Sequence, residues 1–346
     1  MKKRITLLTV GVFVCAAALL PAGGCGEDVE GQGEGKTYEL SYGIFFPEKH
    51  IQYKTAERWA REVEKRSEGK LKITLFAGKT LLTAPKCYQE VVDGVADIGM
   101  SCFAYTRGRF PLMEALDLPM GYPDGKTATR VAHEIAKKHK PKELNDVHVL
   151  YIHAHGPGIL ASKKPVRTLE DMKGLDVRTT GQTKKLAEAL GADPTAKPQG
   201  ETYEMLQKGV VQATFCPMET LQFWGQGEVI DCVTDTSAIG YTTSMFVVMN
   251  KDRWESLPPE LQKILTEVSE EWVAKSGEAW DEADEQGREF VEGLEPKREF
   301  ITLPADEEKR WVDAARPVIG AYVERAKAKG LPADKVVEDI RKMIAE

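Results

Sequence analysis

From Pro258 to Leu294 a single helical pattern runs without a break. Leu261, Ile264, Leu265, Val268, Trp272, Ser276, Ala279, Ala283, Gly287, Phe290 and Leu294 recur largely at steps of three and four. At about 1.5 Å per residue such a helix is about 50 Å long, more than one ordinary domain core can cover. It predicts a scaffold of two lobes with this helix lying across both. The 346 residues of the chain are enough for two cores of normal size.

Upstream of the helix, strand and helix signals alternate. Residues 37–44 alternate apolar and polar, residues 50–67 read as an amphipathic helix, and residues 71–76 form a second strand. A helix over 84–93 ends at Gly94, and a third strand over 96–101 brings Cys102, Phe103 and Tyr105 to its C-terminal end. This rhythm favours a parallel sheet. Phe45, Phe46, Ser101, Phe103 and Tyr105 then share one rim, where aromatic residues either line a cleft or cap the core. Residues 112–123 are loop-rich, 127–139 helical, and a strand over 147–153 runs into His153 and His155.

From residue 159 the chain crosses to a second lobe. It holds a strand over 175–177, a helix over 182–190, a Pro- and Gly-rich loop over 193–200 containing Gln199, and a helix over 201–209. A strand over 210–214 follows and ends in Phe215-Cys216-Pro217, before a helix over 218–225 and a strand over 229–234. The apolar strand 244–250 returns to the first lobe, with Ile239-Gly240-Tyr241 as the candidate hinge. Two crossings are the connectivity of a hinged clamp. Residues 37–158 are thus expected to be the first lobe and 159–240 the second. Residues 241–346 supply the return strand, the long helix and C-terminal helices over 306–329 and 332–345.

Within the second lobe, Thr168 with Asp171 three residues on is a helix-start signal, and a Gly174 turn leads into the strand that ends at Arg178. Small ligands collect at the C-terminal ends of strands in α/β sheets, and a guanidinium fits a carboxylate with two parallel hydrogen bonds. The alternative is a surface arginine paired with Asp176 or Glu170. His153 and His155 share a strand face and are expected in a pocket or core rather than on a metal, since no third ligand is adjacent. No metal or cofactor is expected. Trp224, Phe223 and Tyr241 either roof the site or pack under the hinge. Cys216 near a histidine leaves one competing class, an exported enzyme acting on a small carboxylate through a thiol. Against it, the chain has no nucleophile elbow, H-E-x-x-H helix or phosphate loop.

The N-terminus has Lys2, Lys3 and Arg4, an apolar run from Ile5 to Leu20, and Pro21-Ala22-Gly23-Gly24-Cys25, the layout of a secretory signal over 1–24. Either Cys25 becomes the lipidated first residue of the mature chain, or ordinary cleavage occurs near Gly24. Residues 25–36 read as a Gly/Glu-rich tether. Both readings place the folded part in the periplasm or at the outer face of the cytoplasmic membrane, with a lipid as the only membrane contact. Removing 1–24 takes three of the 47 basic residues and none of the 54 acidic ones, which leaves a net charge of −10. Nucleic acid is therefore excluded as a partner. Cys87, Cys102, Cys216 and Cys232 show no dense framework and allow no pairing to be assigned. Thiols are expected at Cys102 and Cys216, because a bridge across a cleft would obstruct closure.

Six segments carry a resemblance: S-E-G-K-L-K-I-T-L-F (67–76), D-G-V-A-D-I-G (93–99), L-E-D-M-K-G-L-D-V-R (169–178), L-G-A-D-P-T (190–195), E-T-Y-E-M-L-Q-K-G-V-V (201–211) and L-P-P-E-L-Q-K-I-L (257–265). Together they span nearly the whole mature chain, which resembles the substrate-binding proteins of tripartite ATP-independent periplasmic (TRAP) transporters. The resemblance implies an α/β, two-lobed, periplasmic-binding-protein-like clamp that shuts on a small organic acid and hands it to a membrane permease, without chemistry. It implies that Arg178 grips the carboxylate. Relatives often have Asp-Gly-Gln-Glu-Asn-Pro where this chain has Gln212 to Pro217, so Cys216 stands at an asparagine that commonly touches ligand. Some sialic-acid-binding relatives carry a further arginine where this chain has Gly158. A monocarboxylate is therefore expected, with Phe45, Phe103, Tyr105, His153 and His155 completing the pocket.

Overall fold

The computed structural model describes residues 36–346. The expected signal over 1–24, the lipidation site Cys25 and all but the end of the tether lie outside the described residues. In chain order the elements begin with β1 (Tyr38–Ile44), α1 (Ile51–Arg66), β2 (Leu71–Ala77), α2 (Cys87–Val92), β3 (Ile98–Cys102), α3 (Gly125–His139) and β4 (Val147–Ala154). Then come β5 (Ile159–Ser162), β6 (Asp176–Thr179), α4 (Thr183–Ala189), β7 (Asp193–Ala196), α5 (Thr202–Gln207), β8 (Ala213–Cys216), α6 (Thr220–Phe223) and β9 (Cys232–Thr234). The chain closes with β10 (Ser244–Asn250), α7 (Lys251–Glu255), α8 (Pro259–Gly293), β11 (Glu299–Ile301), α9 (Ala305–Ala315), α10 (Pro317–Ala328) and α11 (Ala333–Ala345).

Two sheets result, one per lobe. The first has the order β2-β1-β3-β10-β4, parallel among β2, β1 and β3, with β10 antiparallel to both of its neighbours. The second has the order β11-β9-β5-β8-β6-β7. The chain leaves the first sheet after β4, enters the second at β5, and returns through β10. Strand β10 is buried along almost its whole length, as its unbroken apolar run requires of a strand covered on both faces.

Helix α8 runs 35 residues, as its periodicity predicts. It touches both lobes at glycines. A Cβ on Gly277 would lie 2.8 Å from the Lys126 Cα of α3, and one on Gly287 would lie 2.5 Å from the Met218 carbonyl oxygen of the second lobe. The two contacts hold the backbone of one helix against both halves.

Three local expectations differ. The loop expected over 193–200 begins with β7, a parallel edge strand beside β6; Pro194, which argues against a central strand, is tolerated at an edge. The helix expected over 306–329 is two helices, because Pro317 cannot continue α9 and instead opens α10. The break serves both lobes: Trp311 of α9 packs in the cluster of Val177 and Phe215, while Tyr322 of α10 donates to the Pro111 and Leu112 carbonyls of the first lobe. The strand expected over 210–214 is shifted to Ala213–Cys216, after a tight turn at Gly209.

Alanine is favoured over glycine inside a helix by about 1 kcal/mol, so space decides the sign of two substitutions. Gly320→Ala, facing open space on α10, should stabilise by roughly 0.5–1 kcal/mol. Gly287→Ala should destabilise by about 1–3 kcal/mol through overpacking against Met218. Thermal or urea unfolding of the pair checks this; a stabilised Gly287→Ala would contradict the close approach.

Candidate ligand site between the two sheets

Strand β6 lies beside β8 with Arg178 opposite Thr214, so Arg178 and Cys216 reach the same edge of the second sheet. Across from them β3 of the first sheet ends at Cys102. Between these ends is a cavity. The first lobe contributes Phe45, Phe46, Cys102, Tyr105 and Met245 to its wall, and the second contributes Arg178, Thr180, Thr183, Gln199, Phe215, Cys216, Pro217, Glu219 and Thr220. The crossings supply His155, Tyr241 and Thr243, and α8 supplies Trp280.

Arg178 is 2 % exposed, which excludes the surface-arginine alternative. Asp176 faces solvent and Glu170 is paired with Arg310 instead. The guanidinium is pinned by neutral groups only. Nε and Nη2 donate to the Lys197 carbonyl at 2.9 and 2.7 Å, and Nη1 donates to Gln199 Oε1 at 2.8 Å. Two of its five N–H donors remain. Among the described residues no carboxylate lies within ion-pairing distance of it. Around it, Gln199 Nε2, Thr183 Oγ1 and Tyr241 Oη are buried without a hydrogen-bond partner. Buried donors of that kind are costly unless something accepts from them.

The lobes meet directly across the cavity. The Gln199 peptide N–H donates to Tyr105 Oη at 3.1 Å, Gln182 Nε2 to Glu114 Oε2 at 2.7 Å, and Arg107 Nη2 to the Ala196 carbonyl at 3.2 Å. His50, the N-cap of α1, bonds Glu219 through Nε2 at 2.9 Å. Its Nδ1 accepts from the Gln52 N–H at 3.0 Å, so the neutral ring carries its proton on Nε2 and donates to Glu219.

Burial dominates the titrations. It pulls His50 down to about 3 and His155 to about 4, and pushes the Glu219 carboxyl well above its ordinary range. Asp284 on α8, whose Oδ1 accepts from the Glu219 N–H at 2.9 Å, is pushed up to about 8, again by burial. The Cys216 thiol goes up to about 12 through burial, so it is a protonated thiol rather than a nucleophile at neutral pH. Cys87, Cys102, Cys216 and Cys232 are all free and buried.

Of the residues expected from the sequence, the cavity wall gathers Arg178, Cys216, Phe215, Phe45, Phe46, Tyr105, His155 and Gln199. Three lie behind it. Ser101 donates to the Ala84 carbonyl at 2.7 Å, Phe103 packs edge-on against Phe110 and Phe246, and His153 Nδ1 accepts from Trp280 Nε1 at 3.0 Å. Tyr241 is on the wall, where a Cβ at Gly158 would meet its ring. Glu219, Thr183 and Trp280 were not anticipated. The signal for Glu219 was a lone acid in the apolar run Phe215 to Trp224; Trp280 lies one position off the stripe assigned to the core.

A two-lobed α/β clamp with one uncompensated guanidinium in an aromatic cleft defines a receptor for a small acid. Comparison with known proteins agrees. Residues 42–326 match the family model for bacterial extracellular solute-binding protein, family 7, and the chain belongs to that family, as a substrate-binding protein of the TRAP transporters. A TRAP periplasmic solute-binding protein from Desulfovibrio salexigens, solved as an open complex, is 33 % identical with a TM-score of 0.78, over 88 % of this chain and 95 % of that one. One from Rhodoferax ferrireducens, in complex with copurified benzoate, is 27 % identical with a TM-score of 0.85 over 89 % and 98 %. One from Bordetella bronchiseptica, with bound (R)- and (S)-mandelate, is 28 % identical with a TM-score of 0.83 over 89 % and 99 %. All three relatives are TRAP solute-binding proteins.

The buried titratable groups set a pH profile. His50, His133, His148, His153 and His155 are all lowered by burial. The unfolded chain therefore takes up protons that the folded one refuses, and their contribution is complete above about pH 6.5 and lost as pH falls below it. Asp117, pushed up to about 7, and Asp284, pushed up to about 8, work in reverse. Folded, they keep protons that the unfolded chain releases, so stability is lost as pH rises from about 4 towards 8. The melting temperature of the ligand-free protein should peak at about pH 6–7, and Asp284→Asn should flatten the fall on the alkaline side. A profile unchanged from about pH 5 to 9 would contradict these burials.

Proposed function

We propose that this receptor binds a small monocarboxylate with an apolar, ring-sized body. Arg178 grips the carboxylate, and Phe45, Phe46 and Tyr105 cover the body from the first lobe. The observation that carries this reading is a buried, permanently charged guanidinium whose protein partners are all neutral. An anion on its two remaining donors would supply the missing countercharge, and Gln199 Nε2, Thr183 Oγ1 and Tyr241 Oη are further donors for carboxylate oxygens. With Arg178 the only arginine or lysine among the described residues of the cavity wall, one carboxylate is favoured over two. The benzoate and mandelate found in relatives support the same class of ligand.

Residues 37–158 and 159–240 would then act as the two moving lobes, turning about residues 239–241, with 241–346 shared between them. Ligand favours the closed arrangement because only there does it touch both walls. Ser101, Phe103 and His153 would support the wall from behind. The receptor works by binding and delivery to its permease without a catalytic step, since Cys216 is held as a thiol and no base is bonded to it. Its N-terminus would be either lipidated at Cys25 or cleaved near Gly24.

Isothermal titration with benzoate as the probe tests the reading. Arg178→Ala and Arg178→Lys should each lower affinity by about a hundredfold or more, the lysine because it cannot reproduce the two parallel bonds. Benzoate should raise the melting temperature of the wild type and not of either variant. Full affinity in Arg178→Ala would end the proposal.

A further inference from the structure

The cavity wall carries one guanidinium, Arg178, and one carboxyl group, Glu219, and the two are not bonded to each other. Each is held by other partners. Arg178 is fixed by the Lys197 carbonyl and Gln199, and Glu219 by His50 Nε2 on its Oε2 and by Asp284 on its peptide N–H. An ionised acid facing the same low-dielectric space as Arg178 would attract it strongly; burial favours the neutral form of Glu219 instead, and its carboxyl is bonded to His50. Glu219 is only 2 % exposed, and its Oε1 makes no hydrogen bond to any described residue. Its surroundings are aromatic: His50, the ring that donates to it, stacks on Phe46 at 4.0 Å and meets Trp280 edge-on at 5.8 Å.

We infer that Glu219 is a specificity-determining residue, and that the ligand is a hydroxylated monocarboxylic acid whose carboxylate lies on Arg178 and whose hydroxyl bonds Glu219 Oε1. The inference rests on the carboxylate reading above and adds the ligand's second functional group. A hydroxyl suits this place better than an ammonium. Burial raises the carboxyl's pKa and favours its neutral form; a hydroxyl can donate to or accept from a carboxyl in either state, whereas an ammonium needs it ionised. One negative ligand charge then balances the one positive charge of Arg178. His155 is the competing acceptor on the wall: its Nδ1 proton is committed to the Gly156 carbonyl, which leaves Nε2 to accept.

The test is titration calorimetry with matched probes, benzoate against 3-hydroxybenzoate and phenylacetate against mandelate, on the wild type, Glu219→Ala and Glu219→Gln. In the wild type at least one hydroxy acid should bind about tenfold more tightly than its parent. Glu219→Ala should erase that ratio, whatever the loss of its bond to His50 does to the affinity for the parent acid, and Glu219→Gln, whose amide oxygen can take the His50 proton while its NH2 donates to the hydroxyl, should restore most of it. Ligand-free melting curves verify that each variant folds; if the alanine form does not, the wild-type ratio and the glutamine form decide. A wild type that binds the parent acids with no gain from either hydroxyl overturns the role of Glu219 and leaves the carboxylate reading standing. A hydroxyl preference unchanged in Glu219→Ala assigns it to His155 and overturns the inference equally. Tight binding of phenylglycine lost in Glu219→Gln would replace the hydroxyl by an ammonium, and failure of every carboxylate to bind would overturn both readings.

Discussion

A buried guanidinium without a carboxylate partner is the constraint on which the rest of this structure depends. Moving an isolated ion from water into a protein interior costs several kcal/mol even after relaxation, and single hydrogen bonds to neutral carbonyls return only about 1 kcal/mol each, somewhat more when one partner is charged. Three such bonds from Arg178 to Lys197 and Gln199 orient the side chain without neutralising it. The protein's own groups therefore leave this charge uncompensated, and an anion in the cleft would relieve a cost as well as form new bonds. Selectivity for acids follows from that imbalance, because a neutral molecule of the same shape would displace water and leave the charge uncompensated.

A two-lobed fold can meet such an imbalance if the lobes part at the cleft. Lobe-to-lobe contacts at the cavity combine polar bonds, from Tyr105 to Gln199, Glu114 to Gln182 and His50 to Glu219, which exchange readily with water, with a stack of Trp224 on Phe45. Most apolar packing lies within a lobe, the exceptions being Trp224 against the Phe45 and Phe46 cluster and Phe223 in one cluster with Ile51. Leu40, Tyr42 and Trp59 belong to one cluster, Leu160, Val177 and Trp311 to another. Helix α8 is the shared member, packed closely on Lys126 at Gly277 and on Met218 at Gly287. The architecture thus separates a rigid scaffold from an interface whose balance a small ligand can tip.

Much of this was legible in the sequence because it follows from periodicity and from chemistry at strand ends. The spacing over 258–294 yields α8, the alternation around 37–101 yields the parallel part of the first sheet, and a lone arginine at the end of an apolar strand marks the anion site. What escaped depends on which way a side chain points. Ser101 and Phe103 were placed on the rim with Cys102, but side chains alternate across a strand. Cys102 faces the cavity and the Phe45 cluster, whereas Phe103 turns to Phe110 and Phe246. Glu219 and Trp280 reach the wall through contacts more than 60 residues apart in sequence, Glu219 with Asp284 and Trp280 with His153, and no local pattern encodes such distances. Strand β7 escaped because Pro194 and Gly200 read as loop, although an edge position accepts a proline.

The titratable groups around the cavity complete the logic. Burial drives His50, His155, Glu219 and Asp284 towards their neutral forms, and arginine alone among these side chains cannot respond by giving up its proton. The same low dielectric that silences its neighbours amplifies the field of Arg178. On that count a monoanion would bring the cleft to neutrality, whereas a dianion would leave a second charge buried against aromatic walls, with no arginine or lysine besides Arg178 among the described residues of the wall. Charge counting, more than shape, is therefore what a closed cleft of this composition enforces.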